Sequence, residues 1–222
     1  MMIKRYSMVK AVIFDLDGVL AKTDSFHYLS WKKICDTHAY LFDKVMNNEL
    51  RGVSREECLK IILGYNNITL SDEDFKKVCD EENENYNHIV DDITEQDLFP
   101  GVVNLLKKLK GDGFPLAIGT ISKHAKTTIE KLKIGKFFNT IVDGNMVKKA
   151  KPDPECFLLC AKNLGISPKD ILVIEDADSG IIAANKGGFI SVAFGNAKNN
   201  KEAKYIVDSI EEIDNIIKTE NK

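Results

Sequence analysis

Through most of the 222-residue chain, short apolar runs alternate with amphipathic stretches. The runs at 9–14, 116–120, 140–143, 171–174, 190–194 and 205–207 are nearly continuous in apolar residues. Unbroken runs of this length are typical of strands buried on both faces of a parallel sheet. Between them, 102–110, 123–132, 154–164 and 180–186 carry apolar positions at helical spacing. Asp153-Pro154 predicts the start of the third of these helices, with proline at its first position, and Gly165 predicts its end. The alternation predicts an α/β protein built on a doubly wound parallel sheet.

One interval breaks the rhythm. About 100 residues separate the first apolar run from the second, far more than an ordinary crossover needs. The interval is itself helical in pattern. Ser54-Arg55-Glu56-Glu57 reads as a capping box, followed by Leu59, Ile62, Leu63 and a terminating Gly64. Phe75, Val78, Cys79, Tyr86, Ile89, Val90 and Ile93 form one apolar stripe at helical spacing. The expected organisation is an α/β core of residues 8–23 and 98–222, a helical domain inserted at 24–97, and an N-terminal extension at 1–7.

Composition narrows the class. Hydrophobic residues make up 44% and charged residues 29%, the profile of a globular chain rather than a disordered one. No apolar run approaches the ~20 residues of a transmembrane helix, and the N-terminus has no stretch like a secretory signal. Acidic residues outnumber basic ones by 34 to 31, which leaves no surplus for a nucleic-acid backbone. The five cysteines form no Cys-x-x-Cys pair, and Cys156 and Cys160 read as small core residues of one helix. A cytoplasmic monomer with reduced thiols is expected, with neither nucleic acid nor membrane as partner.

The candidate chemistry lies at the ends of the apolar runs. The first ends in Phe14-Asp15-Leu16-Asp17-Gly18. Two acids two apart on an extended segment can face the same side, although an acidic turn would look similar. The run at 171–174 shifts the balance toward function, because it too ends in acids, Glu175-Asp176, before Gly180 opens a helix. Open α/β sheets bind ligands at the carboxyl ends of their strands, so four carboxylates converge on one crevice. Without a cation they would repel and raise one another's pKa. Oxygen donors favour a hard divalent ion, Mg²⁺ above all, and no His/Cys cluster suits zinc. Thr120-Ile121-Ser122-Lys123 adds hydroxyls and N–H groups at a predicted helix start, and Lys151-Pro152 adds a cation. An acidic metal site beside an anion cradle suits a phosphoryl group attacked by a carboxylate.

Taken in order, Asp15-Leu16-Asp17-Gly18, Thr120, Lys151-Pro152 and Glu175-Asp176 with Gly180 resemble the motifs of the haloacid dehalogenase superfamily of phosphotransferases. The resemblance runs from about Met8 to Phe194 and implies a Rossmann-like core, a helical cap at the insertion and Mg²⁺ as cofactor. It implies that Asp15 is the nucleophile, forming an aspartyl phosphate. Asp17 would be the general acid/base and would lend the metal its main-chain carbonyl. Glu175 and Asp176 would anchor the metal with Asp15, while Thr120 and Lys151 would hold phosphate oxygens. The dehalogenases of the superfamily typically lack the second acid, here Asp17.

Within that superfamily the β-phosphoglucomutase subfamily is the most similar. Thr23, Phe26-His27 and Trp31 resemble its hinge, and Arg51-Gly52-Val53-Ser54-Arg55 resembles its cap loop, whose arginine holds the phosphate that is not being transferred. Ser122-Lys123 resembles its phosphate site on the core. Thr23, His27, Trp31, Arg55, Ser122 and Lys123 are thereby implied to bind a small phosphorylated sugar. The implied reaction interconverts β-D-glucose 1-phosphate and glucose 6-phosphate through an aspartyl phosphate and a bisphosphate intermediate. The alternative on the same residues is a phosphatase of small sugar or polyol phosphates. Three positions depart from the subfamily. Lys22 stands where an acid is common, Ile121 is bulkier than the expected small residue, and Glu82 replaces a cap lysine. Glu82 sits centrally on the apolar stripe, so it either pairs with a cation such as Arg55 or faces the crevice.

Overall fold

The computed structural model describes residues 8–222, and the extension expected at 1–7 lies outside the described residues. The apolar runs form strands β1 (Ala11–Phe14), β2 (Leu116–Gly119), β3 (Thr140–Val142), β4 (Ile171–Glu175), β5 (Ile190–Ala193) and β6 (Tyr205–Ile206). All pair in parallel, in the order β3-β2-β1-β4-β5-β6. The chain builds outward from β1 through β2 to β3, then returns to the centre and builds the other way from β4. The direction therefore switches between β1 and β4, where doubly wound sheets open a crevice. Phe14 is level with Ile118 on one side and Ile174 on the other, so the residues that follow these three strands reach the same edge.

Both faces of the sheet are covered. Val12, Phe14, Ile118, Leu172 and Ile174 share a buried cluster with Leu105, Leu106 and Leu109 of α5 (Val102–Gly111) and with Ile213, Ile216 and Ile217 of α9 (Ile213–Glu220). The opposite face sets Ala11, Ile13, Ala117, Ile171 and Val173 against Cys156, Phe157 and Cys160 of α7 (Glu155–Leu164) and Ala183 and Ala184 of α8 (Asp178–Lys186). α9 has no counterpart among the predicted elements. Eight residues are too few for stable helix on pattern alone, and packing on the sheet supplies what propensity does not. Pro154 precedes α7 rather than opening it, and Asp153 Oδ1 accepts from the Glu155 N–H at 3.0 Å. Gly165 closes α7 as expected.

Four helices lie between β1 and α5: α1 (Asp24–Thr37), α2 (Lys44–Glu49), α3 (Arg55–Tyr65) and α4 (Asp72–Asp91). Trp31, Ile34, Cys35, Leu59, Ile62, Leu63, Val78 and Cys79 give them a buried cluster of their own. α4 reaches beyond it, because Tyr86 and Val90 pack into the cluster beneath the sheet. Ser54 caps α3 by accepting from the Glu57 N–H at 3.2 Å. α3 does not end at Gly64. It runs to Tyr65, and the Asn66 side-chain amide donates to the Ile62 carbonyl at 2.8 Å, taking up an acceptor at the helix end. No helix among the described residues is long and apolar enough to cross a membrane.

Candidate active site

The residues following β1, β2 and β4 and the loop after β3 meet at the carboxyl edge of the sheet. A cavity of about 320 Å³ opens there between this edge and α1–α4. Asp15, Asp17, His27, Trp31, Arg55, Thr120, Ser122, Lys123, Lys151, Glu175 and Asp176 all line it. Thr23 does not; it is fully buried and its hydroxyl donates to Asp17 Oδ1. Of the residues implied to bind substrate, Thr23 is thus placed behind the acid, and Trp31 belongs to the cluster of the inserted helices while reaching the cavity wall.

Lys151 is the centre of the acidic end. Its ammonium is buried, donates to Asp15 Oδ1 at 2.6 Å, to Glu175 Oε1 and to the Gly119 carbonyl at 3.3 Å, and lies 4.7 Å from the centre of the Phe157 ring. Burial works against its charge, but Asp15 and Glu175 outweigh burial and raise its pKa. Asp15 is 6% exposed. Burial, opposed by Lys151 and reinforced by Glu175, Asp17 and Asp176, pushes its carboxyl well above the usual carboxylate range.

Asp15, Glu175 and Asp176 each offer a carboxylate oxygen within 4.8 Å of the others, and all three are buried. An all-oxygen, electron-rich set of this kind fits a hard divalent cation such as Mg²⁺. The Asp17 side chain is not part of this set. It faces Thr23 and His27, whose Nε2 lies 3.9 Å from Oδ2. Desolvation disfavours the Asp17 carboxylate, but the His27 contact and the Thr23 hydroxyl outweigh it and hold its pKa below the ordinary value. His27 is raised in return by Asp17 and Glu82 against its own desolvation, and its ring stacks on Tyr86 at 4.2 Å.

Two glycines make room for these acids. Gly18 has φ +85°, and a Cβ there would lie 2.2 Å from Asp176 Oδ2. At Gly180 a Cβ would lie 2.0 Å from Glu175 Cδ, whose side chain Lys151 and the Ala177 N–H hold in place. Gly180→Ala is expected to lower stability by about 1–3 kcal/mol through this overlap, a cost larger than the gain in helix propensity. Chemical denaturation of the two proteins measures it, and an equal or higher stability of the variant would show that Glu175 yields freely.

Thr120 and Ser122 lie in the loop before α6 (Ala125–Lys131), which starts two residues later than predicted. Thr120 Oγ1 accepts from the Ser122 N–H at 3.1 Å, and Ser122 Oγ from the His124 N–H at 3.3 Å, so a hydroxyl-bearing loop rather than a helix turn borders the acids. The far end of the cavity belongs to Arg55. Its Nε donates to Glu82 Oε2, and its Nη2 lies 3.4 Å from His124 Nε2. His124 also meets Asn83 Oδ1 at 2.9 Å, and burial followed by the Arg55 charge lowers its pKa. Lys123 pairs with Glu56 at 3.3 Å across the cavity mouth.

The sequence motifs assigned no role to Arg51 or His124. Arg51 Nη1 lies 3.3 Å from Asp176 Oδ2, and its carbonyl accepts from the Ser179 hydroxyl at 3.0 Å. These contacts tie the loop before α3 to the acidic segment that follows β4. His124 directly follows the Thr120–Lys123 segment, and that adjacency was the available signal.

Residues 12–194 match the family described as haloacid dehalogenase-like hydrolase. The chain belongs to this family. It is 36% identical over 201 residues to the β-phosphoglucomutase of Bacillus subtilis (strain 168), covering 90% of this chain and 89% of that one. It is 31% identical over 182 residues to a phosphorylated carbohydrates phosphatase of Thermotoga maritima, covering 81% and 82%. Among solved structures, β-phosphoglucomutase from Clostridium difficile superposes with a TM-score of 0.87 at 35% identity, over 96% of this chain and 98% of that one. Mutases and phosphatases thus occur side by side among the relatives of this haloacid dehalogenase-like chain.

Proposed function

We propose that the protein is a Mg²⁺-dependent sugar-phosphate mutase that interconverts β-D-glucose 1-phosphate and glucose 6-phosphate. The coarser reading, an enzyme that moves or removes the phosphate of a small sugar, has the support of both kinds of relative. The observation that carries the finer one is the closure of the site: helices α1–α4 cover the cavity, Arg51 reaches Asp176, and Asp15 is almost wholly shielded. A mutase must keep water from its phosphorylated aspartate until a sugar hydroxyl arrives, and closure serves that end. Residues 24–97 would act as the cap and residues 8–23 with 98–222 as the catalytic core.

Asp15 is the nucleophile, attacking phosphorus to form an aspartyl phosphate, with Lys151, Thr120 and Ser122 beside the phosphoryl oxygens. Asp17, kept ionised by His27 and Thr23, takes the proton of the sugar hydroxyl as that hydroxyl attacks the aspartyl phosphate. The proton it gains is the one it returns to the departing oxygen in the opposite transfer. Asp15, Glu175, Asp176 and the Asp17 carbonyl would hold Mg²⁺, which when bound offsets charge on the phosphoryl oxygens. Arg55, Lys123 and His124 would receive the other end of the substrate.

One observation favours the phosphatase as a second reading. Glu82 already balances the charge of Arg55, which weakens the hold on a second phosphate. Incubation with Mg²⁺, β-glucose 1-phosphate and a trace of the bisphosphate separates the two. Glucose 6-phosphate formed without free phosphate is the expected result. Rapid phosphate release with no isomer overturns the mutase in favour of the phosphatase.

A further inference from the structure

His27 lines the cavity from α1, with its Nε2 3.9 Å from Asp17 Oδ2 and 37% of its side chain exposed. One contact at that distance does not fix the plane of an imidazole, because the outer torsion of histidine is broad. The ring is held by its face instead. It lies on the Tyr86 ring of α4, with centroids 4.2 Å apart and planes 15° from parallel. Tyr86 meets His124 at 5.1 Å and a tilt of 46°, so the flat contact is the one with His27.

Tyr86 is suited to be the fixed partner of this pair. It is fully buried and belongs to the cluster beneath the sheet, with Val19, Leu20, Val90 and Ile93. It does not line the cavity, so its part is not to touch substrate. α1 and α4 are pinned beside the stack. The buried Ser30 hydroxyl, about one turn after His27, donates at 3.1 Å to the carbonyl of Glu82, about one turn before Tyr86. Residues three and four apart share a helix face, so this bond sets the register that brings His27 onto Tyr86.

We propose that Tyr86 is a positioning residue: its ring, anchored in the core cluster, holds the His27 imidazole against Asp17 and so sets the direction in which Asp17 gives and takes a proton. The proposal rests on Asp17 as the acid/base of phosphoryl transfer and holds for mutase and phosphatase alike.

The test uses groups that differ in their need for a proton. A sugar oxygen attacks or leaves with proton transfer, whereas acetate leaves acetyl phosphate as a stable anion. With Mg²⁺ present, kcat/KM is compared for β-glucose 1-phosphate and acetyl phosphate in the wild type, Asp17→Asn, Tyr86→Leu and Tyr86→Phe. Asp17→Asn sets the scale, with an expected loss of about 10²- to 10⁴-fold on the sugar phosphate and far less on acetyl phosphate. Tyr86→Leu, which offers no flat face, should lose about 10- to 100-fold on the sugar phosphate, the range for a misplaced catalytic group. On acetyl phosphate it should lose no more than about twofold, and Tyr86→Phe, which keeps the ring, should stay within about twofold on both.

Equal losses of Tyr86→Leu on the two substrates make Tyr86 a structural part of the fold only and overturn the proposal. A leucine variant that matches the wild type on both also overturns it. Should Asp17→Asn itself show no difference between the substrates, the acid/base reading of Asp17 fails, and the proposal with it. If the leucine variant does not fold, proton NMR of the wild type and Tyr86→Phe decides, with His27 assigned by its loss in His27→Gln. The ring current of residue 86 should move the His27 ring protons upfield in both proteins. Ring protons at their free-imidazole positions show that no stack is held and overturn the proposal.

Discussion

Asp15→Asn is expected to lower turnover of any phosphorylated sugar by on the order of 10⁴-fold or more while leaving the fold intact. The amide has nearly the shape of the carboxylate but cannot form the aspartyl phosphate. Stability should not suffer, and the sign follows from burial. The folded Asp15 carboxyl holds its proton to a higher pH than an unfolded aspartate does, so ionising it in the fold costs stability as pH rises between those two values. Asparagine has no charge to desolvate, and Lys151 keeps Glu175 as its partner. The melting temperature at neutral pH should therefore be unchanged or higher, as expected where a site trades stability for function. Turnover within tenfold of wild type would remove Asp15 as the nucleophile. A sharply lower melting temperature would make it chiefly a structural partner of Lys151.

Lys151→Met is expected to show the opposite balance, losing activity and also about 3–5 kcal/mol of stability. Its ammonium is the buried cation between Asp15 and Glu175, and methionine fills the volume while leaving both carboxylates uncompensated. With Lys151 gone, a divalent cation at Asp15, Glu175 and Asp176 becomes the main source of positive charge. Mg²⁺ should then raise the melting temperature of the variant more than that of the wild type, and a chelator should reverse the gain. Denaturant titrations with and without Mg²⁺ measure both effects. A loss below about 1 kcal/mol would mean that the acids hold their protons instead, so that Lys151 carries no essential charge.

The acids of the site were legible because each stands directly after an apolar run. Parallel strands place such positions at one edge, so Asp15, Thr120, Glu175 and Asp176 could be brought together before any contact was known. Lys151 was legible as a cation, but not as the group that bridges Asp15 and Glu175 from beneath. Thr23 was legible as part of a motif, yet its hydroxyl turns to Asp17 and not to the cavity. For Glu82 the pattern offered two outcomes, pairing with Arg55 or facing the crevice. The structure pairs one oxygen with Arg55 and buries the other without a hydrogen-bond partner among the described residues, on a residue that lines the cavity.

The chain's own pattern determined what depends on neighbouring residues: the strand runs, the helical insertion, the paired acids at strand ends and the glycines behind them. Periodicity and local backbone chemistry suffice for these. Only the tertiary structure decided how the insertion meets the core. Arg51 reaches Asp176, Arg55 reaches His124 and the Tyr86 ring lies 5.1 Å from that of His124, each between groups far apart in the chain. No period along a sequence encodes such meetings, because they follow from the packing of α4 and the loop before α3 over the sheet edge. The chemistry proposed for Asp15 is written in the strand ends. What that chemistry acts on is chosen where the two parts of the fold close on each other.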